Sequence, residues 1–184
     1  MVYSLGLNLP LTQEVILSPV TRICFVCLGN IVRSPLAKTL FLYHAQQAGT
    51  GQKYEVDSAG TSDWHVSEPP DLRMRRVAAR RGIPHDGRAR QFRPVDFNRF
   101  DWIVVMDEDN YDDLRLLDPT DEQMQKVHFL REFDPQGGPR VEVPDPYYDG
   151  SDRFELVYEV IDRSVRGLLA SLEDGGRDIR EGRQ

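Results

Sequence analysis

Arg22-Ile23-Cys24-Phe25-Val26, running directly into Cys27-Leu28-Gly29-Asn30-Ile31-Val32-Arg33-Ser34, is the stretch that decides the fold. Its first half is a short apolar run with β-branched and aromatic residues, the pattern of a strand buried on both faces. Its second half begins with a cysteine and carries an arginine six positions later. The five residues between them are enough to curl the backbone around a tetrahedral anion, so that successive N–H groups point inward. Gly29 allows close backbone approach and positive φ, and Asn30 is among the few other residues that tolerate the left-handed region. Ser34 suits a helix N-cap and Pro35 the first helical position, so a helix is expected to begin where the loop ends, with its dipole aimed at the anion.

The chemistry follows from the residue types. The planar fork of Arg33 can grip two oxygens of an oxyanion, which a lysine cannot. The inward amides and the guanidinium favour a thiolate at Cys27, and the Ser34 hydroxyl is placed to donate a further hydrogen bond to sulfur. The loop reads as an oxyanion trap with a nucleophile at its base.

These residues carry a family resemblance. Cys-x5-Arg-Ser after the first apolar strand resembles the low-molecular-weight protein tyrosine phosphatases, and Val26 to Ile31 with Arg33-Ser34-Pro35 is very similar to their loop. The resemblance implies that Cys27 attacks phosphorus and that Arg33 binds phosphate together with the loop of Leu28, Gly29, Asn30, Ile31, Val32 and Ser34. Further on, Ser58-Ala59-Gly60-Thr61-Ser62-Asp63-Trp64-His65-Val66 also matches. It implies that Ser58 braces the loop through Asn30 and that Trp64 walls the substrate cleft, where an aromatic ring would be held.

Outward from the loop, Leu36, Ala37, Leu40, Phe41, Ala45 and Ala48 recur at helical spacing until Gly49-Thr50-Gly51 stops the pattern. Tyr54 to Ser58 reads as a second strand. Strand, helix and strand make a right-handed βαβ unit with the loop at the carboxyl end of its strand, where open α/β sheets bind ligands. Pro69-Pro70-Asp71 starts a second helix ending near Arg80-Arg81-Gly82, with its arginines read as a solvated face. Phe100 to Met106 is a third strand. Asp107 after it suits a plain N-cap, while the resemblance implies that it steadies the loop carrying the catalytic acid. Val127 to Leu130 is a fourth strand, and Phe154, Val157, Tyr158, Ile161, Val165, Leu168 and Leu169 mark a long amphipathic helix starting after Ser151. The expected fold is a three-layer α/β domain: a four-stranded parallel sheet of flavodoxin-like order 2-1-3-4 with helices on both faces.

Val143-Pro144-Asp145-Pro146-Tyr147-Tyr148 supplies the remaining chemical piece. A tyrosine phenolate, with a conjugate acid of pKa about 10, leaves slowly at neutral pH unless a positioned acid protonates it. Asp-Pro pairs occur at Asp118, Asp134 and Asp145, and only Asp145 precedes the paired tyrosines that resemble the family's acid loop. The resemblance implies Asp145 as general acid and then base, with Tyr147 and Tyr148 facing Trp64. It also implies phosphotyrosine-containing proteins as substrates, inorganic phosphate as product, and neither metal nor organic cofactor. Two departures stand out. Gly87 occupies a position where relatives often carry a histidine behind the loop, so bracing closes without it, with water, or through His85. Val32 stands where many relatives have a second loop cysteine.

Bulk properties agree with this reading. The 184 residues suit one domain, and a formal charge of −7 argues against a nucleic-acid or membrane-surface binder. The two cysteines lie three apart on one strand, about 10 Å between Cα atoms and beyond disulfide reach, which fits a reduced, cytoplasmic protein. A monomer or weak dimer is expected. No His group has ligand spacing for a metal. Residues 1–20 form an extension with no basic start, uninterrupted apolar core or small-residue cleavage site: a docking arm, a disordered leader or the product of an upstream start codon. The phosphatase domain is expected over 21–172, followed by a flexible polar tail over 173–184. Arsenate reductases of related fold relay oxidation through further cysteines, and none follows Cys27 here. Dual-specificity phosphatases place the acid before the cysteine, the reverse of this order. A reader of phosphotyrosine without turnover is the remaining alternative.

Overall fold

The computed structural model describes residues 19–147 and 151–175. In chain order it contains β1 (Thr21–Cys27), α1 (Arg33–Gln47), β2 (Tyr54–Gly60), α2 (Leu72–Arg80), α3 (Asp96–Arg99), β3 (Trp102–Val105), α4 (Glu108–Arg115), α5 (Asp121–Met124), β4 (Val127–Phe129) and α6 (Ser151–Glu173). The strands form one parallel sheet in the order β2-β1-β3-β4, as the sequence predicts.

β1 lies inside the sheet, and its alternation explains the unbroken apolar run. Ile23, Phe25 and Cys27 face a core built with α1, α2 and α6, whereas Cys24 and Val26 face the other layer with Phe97, Leu114 and Phe129. Both faces are covered, so every residue from Ile23 to Cys27 is buried. Each such aliphatic or aromatic side chain contributes about 1.5–3 kcal/mol relative to exposure. The seven apolar residues read along the last helix are all buried on the first face, where α6 packs against α1 and α2.

Several boundaries differ from the sequence reading. α1 begins at Arg33 with Val32 as its N-cap, so Ser34 does not cap the helix; its hydroxyl is committed to the loop instead. Positive φ falls on Asn30, at 54°, and not on Gly29. β3 is confined to Trp102–Val105, because Phe100 and Asp101 complete the turn out of α3, and β4 stops at Phe129, where Leu130 opens a 3₁₀ turn. The α2 arginines are not simply solvated. Arg80 pairs with Glu155, and Arg81 reaches Glu155 at 2.8 Å and Glu159 at 2.6 Å, tying α2 to α6. Glu173, placed by the sequence at the start of a flexible tail, closes α6 and accepts from Lys53 Nζ and Tyr54 Oη at 2.5 Å each. No helix among the described residues is long and apolar enough to cross a membrane. The extension expected over 1–20 lies almost wholly outside the described residues, as do Tyr148 and 176–184.

Candidate active site

The loop after β1 is held from outside by its carbonyls. Thr61 N donates to Cys27 O at 2.9 Å, Ser62 N to Leu28 O at 3.0 Å, and Asp71 N to Ile31 O at 2.8 Å. In a planar trans peptide the N–H points opposite to the carbonyl, so the N–H groups of Leu28, Gly29 and Val32 turn to the concave side. The close approach of β2 makes this possible. A Cβ on Gly60 would lie 2.7 Å from Leu28 O, 3.1 Å from Gly29 C and 3.2 Å from Asn30 N.

Inside the loop a chain of hydrogen bonds leads to sulfur. Cys27 Sγ lies 3.0 Å from Ser34 Oγ, which accepts from Asn30 Nδ2 at 2.9 Å and donates to Ala59 O at 3.2 Å. Asn30 Oδ1 in turn accepts from Arg90 N at 3.0 Å. This corrects the expectation for Ser58: Asn30 is braced by Ser34 and the Arg90 backbone, while Ser58 lies on β2 opposite Phe25 and its amide binds Asp57. The bracing also closes without a histidine at Gly87. His85 instead binds Thr39 Oγ1 on α1 at 3.0 Å.

Arg33 is buried at the N-terminus of α1 and joins three pieces of chain. Nη1 donates to Val143 O at 3.1 Å and to Asp107 Oδ2, and Nη2 donates to Asp145 Oδ2 at 2.7 Å. Asp107 therefore caps α4 and holds Arg33, and among the described residues it reaches the acid segment only through that guanidinium. Its Oδ1 caps α4 through Asn110 N at 2.8 Å while its other oxygen anchors Arg33. Burial opposes the charge on Arg33, but Cys27, Asp107 and Asp145 outweigh it and hold the guanidinium proton more tightly than usual. Nε of Arg33 is buried with no hydrogen-bond partner among the described residues, a donor suited to an anionic oxygen.

Asp145 arrives from the far end of the chain. Val143 N binds Met106 O at 2.8 Å, fixing the acid segment to the end of β3, and Tyr147 N donates to Asp145 Oδ1 at 3.1 Å. Cys27, the loop, Trp64, Asp145 and Tyr147 line one cavity. Of the site residues expected from sequence, Tyr148 is not described. Trp64 is 70% exposed, so it forms the rim of the cavity and not an inner wall.

Two contributors escaped sequence reasoning. His65 lines the same cavity, its Nδ1 2.8 Å from Glu68 and its ring 6.1 Å from that of Tyr147, and its Cδ2 edge rests against Gly29. Arg73 belongs to the arginines that the sequence places on a solvated face. It donates to Tyr147 O at 3.1 Å, pairs with Asp71, and lies over the rings of Tyr147 and Phe154. An aromatic pair reached by one arginine has no local sequence signal.

The description "Low molecular weight phosphotyrosine protein phosphatase" belongs to the family model that matches residues 22–177. A low molecular weight protein-tyrosine-phosphatase of Streptomyces coelicolor is 44% identical over 154 residues, covering 83% of this chain and 94% of the relative. The human low molecular weight phosphotyrosine protein phosphatase is 38% identical over 148 residues, covering 80% and 92%. Among solved structures, a protein tyrosine phosphatase from Entamoeba histolytica with Hepes in its active site superposes with a TM-score of 0.80 at 36% identity, over 85% of this chain and 99% of that one. YfkJ from Bacillus subtilis gives a TM-score of 0.79 at 34% identity, over 86% and 98%. With its loop, sheet order and nearly full-length relatives in agreement, the chain belongs to the low molecular weight phosphotyrosine protein phosphatase family.

Proposed function

We propose that the protein hydrolyses phosphotyrosine in other proteins through a phosphocysteine at Cys27. The observation that carries this reading is the convergence on one cavity of a cysteine, an arginine with an unpartnered buried Nε, and a carboxylate 2.7 Å from that arginine. The phosphoryl oxygens sit against the inward amides and Arg33, which stabilise charge in the transition state. They compete with Asp145 for the guanidinium and release its carboxyl to face the leaving oxygen.

Cys27 Sγ then attacks phosphorus in line, and the bond from phosphorus to the phenolic oxygen breaks. The protonated Asp145 gives its proton to that oxygen, so tyrosine leaves neutral. In the second step Asp145, now a carboxylate, takes a proton from water as the water oxygen bonds to phosphorus. The P–S bond breaks, and the thiolate and inorganic phosphate remain. Ser34 suits both steps: its proton is shared between Ala59 O and sulfur, and Asn30 Nδ2 holds its oxygen throughout. Trp64 and Tyr147 flank the entering ring.

The test is phosphate release from a phosphotyrosine peptide in EDTA. The parent turns over, Cys27→Ser is inactive, and Asp145→Asn is slowed about 10²- to 10⁴-fold. A parent that binds the peptide and releases no phosphate would make the loop a reader instead.

A further inference from the structure

On the other side of the Trp64 rim, the loop that walls the active site also walls a second groove, of about 470 Å³. Trp64 and His65 face the catalytic cavity, while their neighbours Asp63 and Val66 line this groove. The loop is anchored to both sides, through Ser62 to Leu28 O and through Thr61 O to the Gln91 side chain at 3.2 Å. The loop of Asp63 to Val66 thus lies between the groove and the cleft.

Its chemistry is polarised. Val66 and Val95 are 47% and 67% exposed, an aliphatic pair that a chain crossing Trp64 would cover. Most of its charges are already committed. Arg90 pairs with Asp57 at 2.9 Å and with Asp96 at 2.8 Å, and Asp96 also accepts from the Arg93 backbone N–H at 2.9 Å. The exposed Arg93 guanidinium has no carboxylate partner among the described residues, and neither does Asp63 a cation. An uncommitted cation and an exposed aliphatic pair lining one groove favour a partner that presents an acidic and an aliphatic side chain.

We propose that this groove docks the substrate polypeptide beside its phosphotyrosine, seating an aliphatic side chain on Val66 and Val95 and an acidic one on Arg93. The inference rests on the phosphatase reading above and adds a determinant of which phosphotyrosines are chosen. Arg93 is a specificity residue only, since it contacts no reacting atom. An exposed ion pair of this kind changes kcat/KM about two- to fivefold.

The experiment compares kcat/KM for phosphotyrosine peptides carrying Glu or Lys at each flanking position in turn, with para-nitrophenyl phosphate as a substrate that has no peptide. The parent should prefer Glu at one position on one side, Arg93→Ala should lose that preference, and Arg93→Glu should reverse it towards Lys. Val95→Ser should weaken an aliphatic preference at a neighbouring position. Turnover of para-nitrophenyl phosphate should be equal in all four proteins, which also shows that the variants fold. Peptide preferences that survive Arg93→Glu overturn the proposal while leaving the phosphatase reading intact. A parent that turns over neither substrate removes both. Absence of any preference, with self-association of the parent weakened by Arg93→Glu, would assign the groove to a second copy and refute substrate docking.

Discussion

His85 makes stability depend on pH in a calculable way. The Thr39 hydroxyl donates to Pro35 O at 2.9 Å, so it accepts from His85 Nδ1–H at 3.0 Å. That leaves Nε2 as a lone pair, buried and without a partner among the described residues. Protonating it would bury an N–H⁺ with no acceptor. Burial accordingly pushes the imidazole from 6.5 down to about 4, with Asp86 opposing and Arg75 assisting. The neutral form is favoured in the fold, so the stabilisation is fully present above the unfolded value and is lost as pH falls from 6.5 towards 4. The whole shift corresponds to about 3 kcal/mol, and about 2 kcal/mol of it disappears between about pH 7.5 and about pH 5. Urea unfolding at those two pH values, for the parent and for His85→Gln, isolates the contribution of His85. Glutamine keeps a hydrogen bond to Thr39 and does not titrate. The parent should lose about 2 kcal/mol more than the variant over this interval. Equal losses in the two proteins would refute the buried, neutral His85.

Two further outcomes follow from the loop. Gly60→Ala drives a methyl group into the backbone of Leu28, Gly29 and Asn30, so kcat/KM should fall about a hundredfold while circular dichroism stays native; an unchanged rate would show that the loop tolerates a shifted β2. Peroxide should inactivate the enzyme with poor recovery in dithiothreitol. Val32 supplies no second thiol, and Cys24 points into the opposite layer, where burial pushes its thiol up against the pull of Arg90. Full recovery would contradict this.

How much of the molecule the sequence reveals depends on how local each signal is. β1, the loop, α1 and α6 carry their patterns within one stretch, and the βαβ unit accounts for the parallel pairing of β1 with β2. α3 and α5 are four residues each, too short for a helical period to show. Cys27 and Arg33 stand out through their spacing on one loop and Asp145 through the resemblance of the segment around it, and the structure brings all three to one cavity. The supports do not stand out. Asn30 turns to Ser34 and to a backbone amide sixty residues away, Asp107 divides its two oxygens between a helix cap and Arg33, and the part-exposed Arg73 reaches over to the Tyr147 carbonyl. Each is a tertiary contact that a propensity or spacing rule does not encode. Ser34 shows the competition directly: a residue suited to capping is diverted to sulfur, and Val32 caps without a side-chain hydrogen bond.

The central claim is that the phosphoryl group passes through Cys27. The most direct test is rapid quenching of Asp145→Asn with para-nitrophenyl phosphate, whose leaving group needs little protonation, followed by intact-mass and peptide analysis. Formation of the intermediate should outrun its hydrolysis, so one phosphoryl group should accumulate on Cys27 during a burst of para-nitrophenol, and none should appear on Cys27→Ser. Turnover with no phosphocysteine at any time, or a phosphoryl group on another residue, would contradict the account.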